Sequence, residues 1–167
     1  MGKDMRDLNR LLTTKREAII GKWFNLIIDS YPPDTADYLK NQKNPFSNPV
    51  GSTIHTAIEG ILDELLNPSD SMRVSTYLDN IIRIRAIQDF TPSIALNFLF
   101  LLKDVVRIEL NKEIYEYNLF EDLLMFESQV DRLLKESFDI YMRCREKIYE
   151  LGANEIRNMA FQLLRNK

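Results

Sequence analysis

Histidine, cysteine and glycine are scarce in this 167-residue sequence, which has one His, one Cys and five Gly. A single cysteine cannot form a disulfide within the chain, which favours a reducing, cytoplasmic compartment. His55 and Cys144 lie far apart in the sequence, without the spacing of zinc ligands. The glycines form no phosphate-binding loop and no nucleophile elbow. These scarcities argue against metalloproteins, nucleotide hydrolases and acyl-transfer enzymes, so we expect no catalytic residues.

The sequence also lacks a long apolar run and a strong excess of either charge. Its longest apolar run, from Ile94 to Leu102, includes Asn97 and is shorter than the roughly twenty residues that cross a bilayer. Twenty-two Lys and Arg are mixed with twenty-five Asp and Glu, which gives a net charge of −3. The N-terminal residues show no signal-peptide pattern. We therefore expect neither membrane insertion nor nucleic-acid binding.

Apolar residues at helical spacing are abundant, and 45% of the sequence is hydrophobic, which is enough for one core. Proline-containing segments divide this pattern. Tyr31-Pro32-Pro33 ends a helix that begins near Leu8, and Asn48-Pro49, Asn67-Pro68 and Thr91-Pro92-Ser93 bound later helices. The last helix begins near Asn118. Because no segment alternates as a strand does, we expect one all-α domain, a bundle of about five to six helices with a long C-terminal helix.

The last helix has a narrow apolar stripe after residue 140, at spacings of three, four and three residues. Such a stripe is typical of a coiled-coil seam and needs a partner helix, although a lone Cys within it is also typical of a small buried hydrophobe. Acidic residues alternate with the basic and aromatic ones, which favours a protein partner over nucleic acid. We predict a homodimer or partner interface at Tyr141, Cys144, Arg145, Ile148, Tyr149 and Leu151.

Aromatic residues are spread over all the predicted helices. Most are expected in the core, but some are expected to line an apolar pocket of the kind that forms between helices. His55 lies beside the apolar stripe of its helix with Glu59 one turn on, so a surface ion pair is its simpler interpretation. We predict a candidate ligand pocket at Trp23, His55 and Phe98.

Five segments carry a resemblance to a known family: 15–23 with Tyr31-Pro32, Asn44-Pro45-Phe46-Ser47-Asn48-Pro49-Val50-Gly51, 83–93, 98–110 and 138–149. In order and spacing they resemble the N-terminal domain of RsbRD-type co-antagonist proteins, relatives of the RsbR stressosome sensors. The resemblance implies a globin-like fold without haem, usually dimeric, that acts as the sensory module of a stress-response regulator. In full-length relatives the last helix continues into a STAS domain. Here we expect a stand-alone sensory domain over residues 1–152, followed by a helical extension over 153–167, with an unidentified regulatory protein as its partner.

Two alternatives remain open. In the first, the domain is an interaction adaptor that takes no small ligand and docks on another protein complex through Arg143, Arg145 and Tyr149. In the second, it is a haem-binding globin-like sensor. Globin haem iron is held by a proximal histidine, but the corresponding helix, Val74 to Gln88, contains none, and His55 lies one helix earlier. We therefore expect no cofactor.

Overall fold

The computed structural model describes the backbone of residues 4–69 and 71–165, and the side chains of residues 8–69 and 72–165. These residues form helices and no strands, so the predicted all-α class is confirmed. The helices are α1 (Asp4–Thr14), α2 (Arg16–Ile28), α3 (Pro33–Asn41), α4 (Pro49–Leu66), α5 (Ser71–Ile87), α6 (Pro92–Ala95), α7 (Asn97–Glu109), α8 (Asn111–Glu116) and α9 (Phe120–Arg165).

The helix boundaries follow the local sequence closely. Asn48 caps α4 by accepting a hydrogen bond from the Gly51 amide at 2.8 Å, and Pro49 takes the first helical position. Prolines also begin α3 and α6. The described residues contain more helical segments than the five to six predicted. One reason is that the predicted first helix is divided at Lys15, whose ammonium group donates to the Glu109 carbonyl at 2.6 Å.

The long C-terminal helix is confirmed, because α9 runs without a break for 46 residues. The predicted division between residues 152 and 153 falls inside it. The ends of the two predicted ranges, residues 1–3 and 166–167, lie outside the described residues. One helix therefore belongs both to the domain and to its predicted extension.

The core lies between the inward faces of α2, α4, α5, α7 and α9. Trp23 on α2 is completely buried, and its indole nitrogen donates to the Phe98 carbonyl at 2.6 Å. A buried indole needs such a partner, because an unsatisfied donor in the core is costly. This hydrogen bond fixes α2 against the start of α7.

Helices α4 and α5 touch closely at a glycine. A Cβ atom on Gly60 of α4 would lie 2.3 Å from the ring of Tyr77 on α5, well inside van der Waals contact. Helix α5 packs in turn against α9. The body of the domain is therefore connected in the order α4, α5, α9.

Arg85 on α5 is a buried junction between helices, with 1% of its surface exposed. Its Nη2 donates to the Ser30 hydroxyl at 2.7 Å and to the Ile94 carbonyl at 3.2 Å. Its guanidinium carbon lies 4.8 Å and 5.6 Å from the ring centroids of Phe90 and Tyr31. Burial lowers the pKa of Arg85. Neutral oxygens and aromatic faces thus hold this cation, and they tie α5 to the end of α2 and to α6.

Candidate functional site

An exposed stripe runs along the outer side of α9, and we call it the α9 seam. Its spacing alternates between four and three residues over more than three heptads, as in the a and d positions of a coiled coil. Its apolar members expose between 40% (Met142) and 72% (Leu163) of their surface. The seam consists of Phe138, Met142, Arg145, Tyr149, Gly152, Ile156, Met159 and Leu163.

The C-terminal half of the seam receives no cover from the rest of the described chain. Every residue from 149 to 165 is exposed, apart from the half-buried Gly152. A helix is only marginally stable on its own. In a protein it is stabilised mainly by packing its apolar face against another element. The face that this half of α9 offers for packing is therefore open in the monomer.

The residues predicted for the interface divide between two sides of α9. Tyr141 is buried, and its hydroxyl donates to the Phe90 carbonyl at 2.7 Å. Cys144 is half-buried against the core, and burial raises the pKa of its thiol. These two residues face the body of the domain, Tyr141 buried and Cys144 half-buried. Among the others, Ile148 is half-buried, whereas Tyr149 and Leu151 are exposed.

Arg145 belongs both to the predicted interface and to the α9 seam, but it is already engaged within the chain. Its Nη1 lies 2.6 Å from an Asp89 carboxylate oxygen and 3.1 Å from the Ala86 carbonyl, and its Nη2 donates to the Tyr149 hydroxyl at 3.0 Å. Asp89 ends α5 with a φ of 64°, in the left-handed region that Asp tolerates better than most residues. Arg145 therefore fastens α9 to the end of α5.

An apolar groove of about 550 Å³ adjoins the start of the seam, between α6, α7 and α9. Phe138 lines it from α9, and the half-exposed Phe100 lines it from α7. Further along the same two helices, Lys103 pairs with Asp131 at 2.7 Å and Arg107 with Glu127 at 2.6 Å. The outer faces of α7 and of the first part of α9 are thus continuous with the α9 seam, and together they form one partly apolar surface.

The three residues predicted for a ligand pocket are not brought together. Trp23 and Phe98 are both buried in the core, where the Trp23 indole donates a hydrogen bond to the Phe98 carbonyl. His55 lies on α4 with 46% of its side chain exposed, its Nδ1 3.4 Å from a Glu59 oxygen and its ring 5.4 Å from that of Phe24. The interpretation of His55 and Glu59 as a surface pair agrees with this geometry.

His55 instead lines a groove of about 570 Å³, which we call the α2–α4 groove. It lies between α2, α4, the end of α3 and the connection that follows α3. Its lining includes Gly21 and Phe24 from α2 and the two lysines Lys40 and Lys43. No local sequence signal predicts this groove, because its residues come from three separate segments.

For the haem alternative, the structure places α4 and α5 in direct contact at Gly60 and Tyr77. His55 also faces Phe24 of α2. Among the described residues, no group of three or more His, Cys, Asp or Glu side chains is placed to hold a metal ion. In the same part of the chain, no helix combines the length and hydropathy of a membrane span.

Comparison with known proteins identifies two similarities. Residues 17–156 match the family described as the RsbT co-antagonist protein rsbRD N-terminal domain. An uncharacterized protein from Archaeoglobus fulgidus is 30% identical over 143 residues, which cover 84% of this chain and 83% of that protein. No solved structure matches the chain.

Proposed function

Because this chain belongs to the family of RsbT co-antagonist protein rsbRD N-terminal domains, we propose that it is a signal-input domain of a stress-response regulator. It has no catalytic activity and works by forming a homodimer and by contacting a regulatory protein. The family description itself names a protein, RsbT, as the object of the antagonism. The resemblance stated from the sequence is confirmed at the level of the family.

The observation that carries this proposal is the α9 seam. Its a and d positions hold six exposed apolar side chains, and two copies that align their seams would remove them all from water. The half-exposed Phe100 and Phe138 extend the same surface to α7, so the proposed interface uses the last two long helices.

The helix contacts provide a route from the body of the domain to this interface. Helix α4 touches α5 at Gly60 and Tyr77, and α5 is fastened to α9 by Arg145 and by the core. A shift of α4 relative to α5 would therefore move α9 and its seam. In this proposal a signal received in the body changes the geometry or stability of the dimer.

Sedimentation equilibrium at micromolar concentration tests the dimer. Ile156→Glu places a charge in the seam, whereas Asn154→Glu places the same charge about 200° around the helix, since it is two residues away. We expect a dimer for the unsubstituted chain and for Asn154→Glu. We expect Ile156→Glu to weaken it by about tenfold or more, because a carboxylate would be buried in an apolar interface. Far-UV circular dichroism checks that all three chains remain helical. A strictly monomeric chain, or equal behaviour of the two variants, contradicts the proposal.

Native mass spectrometry of the protein purified from its own cells tests the partner. We expect a homodimer together with a second, regulatory protein. A stable protein partner bound to a monomer, without any retained small molecule, would instead favour the interaction adaptor.

A further inference from the structure

We propose that the α2–α4 groove binds a small molecule that combines an anionic group with an apolar part. This inference rests on the proposed sensory function and gives it a ligand class.

In a chain that is acidic as a whole, one lysine of the groove has no carboxylate partner among the described residues, whereas His55 lies 3.4 Å from Glu59. The twelve residues that line the groove include Lys40, Lys43 and His55 but neither Asp nor Glu, whereas the chain carries a net charge of −3. Lys40 is paired with Asp29. Lys43 is exposed and takes part in none of the ion pairs of the described residues. Its ammonium group is therefore available to an anion that enters the groove.

The groove is also lined by an exposed helical glycine that the fold does not require. Gly21 lies within α2, where glycine costs roughly 0.5–1 kcal/mol relative to alanine. A Cβ atom there would have no neighbour within 4 Å, whereas Cβ atoms on Gly51 and Gly60 would collide with Asn48 and Tyr77. Gly21 and Phe24 both line the groove, and the space at Gly21 is open. We infer that this space receives the apolar part of the ligand.

The wall that carries Lys43 is held in place before any ligand arrives. Asn48 is buried, and its Nδ2 donates to the Leu39 carbonyl at 2.9 Å and to the Gln42 carbonyl at 2.8 Å. These two bonds hold the segment 39–42, which immediately precedes Lys43. The Asn48 Oδ1 caps α4 at the same time. A wall ordered in advance lowers the entropic cost of binding. The lysine is thus presented on a fixed support.

The probe for the first experiment is 8-anilinonaphthalene-1-sulfonate, which joins aromatic rings to one negative charge. We expect saturable binding that shifts the amide resonances of Gly21 and Gly51 in ¹H–¹⁵N spectra. Gly21→Leu adds a side chain to the lining of the groove, and we expect it to weaken binding by about fivefold or more. Its control, Ala153→Leu, adds the same side chain at an exposed helical position outside the groove, and should leave the affinity unchanged.

A second comparison isolates the charge. Lys43→Glu should weaken the sulfonate probe by about fivefold or more, but should have little effect on N-phenyl-1-naphthylamine, which has the rings without the sulfonate. The control Lys112→Glu changes an exposed lysine on α8 and should leave both affinities unchanged. Resonance shifts confined to α7 and α9, or affinities unaffected by both Gly21→Leu and Lys43→Glu, would overturn the inference.

These outcomes are separable from those that test the dimer. Loss of groove binding from a chain that remains dimeric would refute the ligand site alone. A monomeric chain that still binds the probe in the groove would refute the proposed dimer alone, and Ile156→Glu should retain groove binding.

Discussion

The contact between Gly60 and Tyr77 allows a prediction in which one substitution changes the sign of its effect. Gly60→Ala should destabilise the chain when Tyr77 is present and stabilise it when Tyr77 is replaced by alanine. The two residues hold α4 and α5 at their present separation, so this experiment tests the contact on which the proposed signal route depends.

The magnitude follows from two opposing terms. An added Cβ would lie 2.3 Å from Cε2 and Cζ of Tyr77, whereas carbon atoms prefer about 3.5–4.0 Å, so the ring or the helix must move by more than an ångström. Such overpacking costs roughly 1–3 kcal/mol, and the gain in helix propensity offsets about 1 kcal/mol of it. In the Tyr77→Ala background only the gain remains. The coupling free energy should therefore be about 1–3 kcal/mol.

Urea unfolding of the four chains, followed by circular dichroism and by the fluorescence of the buried Trp23, measures this coupling. Gly21→Ala serves as the control, because its Cβ meets nothing within 4 Å. It should stabilise both backgrounds by about 0.5–1 kcal/mol. A coupling between Gly60→Ala and Tyr77→Ala below about 0.5 kcal/mol would refute the reasoning, since independent sites are additive within that range.

Three further predictions concern single side chains. Asn48→Ala removes a helix cap and two hydrogen bonds to carbonyls, so it should lower the free energy of unfolding by about 2–4 kcal/mol, and a loss below about 1 kcal/mol contradicts this reading. The hydrogen bond from Lys15 lowers the pKa of Glu113, so its contribution to stability is complete above the unfolded pKa of about 4.3 and is lost as pH falls through the lower folded pKa. Glu113→Gln should therefore flatten the acid side of the stability–pH curve, and an unchanged slope argues against the pair. Burial raises the pKa of the Cys144 thiol, so iodoacetamide at about pH 8 should alkylate it faster once urea has unfolded the chain, and equal rates would show that it is not shielded.

Helix boundaries were the most predictable part of this fold, because the residues that set them act locally. Asn48 defines the start of α4 by accepting a hydrogen bond from the Gly51 amide, three residues on. The Pro49 ring occupies the first helical position. Pro33 and Pro92 begin helices for the same reason. The break at Lys15 was less evident, because Lys15 is held by Glu109, which lies 94 residues away in sequence.

The orientation of α9 could not be read from the sequence, because two apolar stripes run side by side along it. The sequence pattern predicts an outward stripe through Tyr141 and Cys144, yet Phe90 and the core hold this stripe inward. The outward stripe repeats every seven residues through Met142, Tyr149 and Ile156, a signal that was present in the sequence. Only contacts with other helices distinguish the two.

The candidate pocket residues show the same limit. The sequence predicts Trp23 and Phe98 at a pocket, but the hydrogen bond from the Trp23 indole to the Phe98 carbonyl spans 75 positions of sequence, and both residues lie in the core. A binding role for Gly21 and Lys43 could not be predicted, because neither residue belongs to a sequence motif. Their meaning depends on a groove whose walls come from separate helices.

The unbroken course of α9 has a mechanical consequence. At 1.5 Å per residue, its 46 residues span about 69 Å, and the uncovered part over residues 149–165 accounts for roughly 25 Å of this length. A rigid helix acts as a lever. A tilt of about 5° at Arg145, where α9 contacts the end of α5, would displace the C-terminal end of α9 by roughly 2.5 Å. A rearrangement of the domain body that is too small to disturb its core would thus displace the C-terminal end of α9 by a distance equal to about half a helical turn.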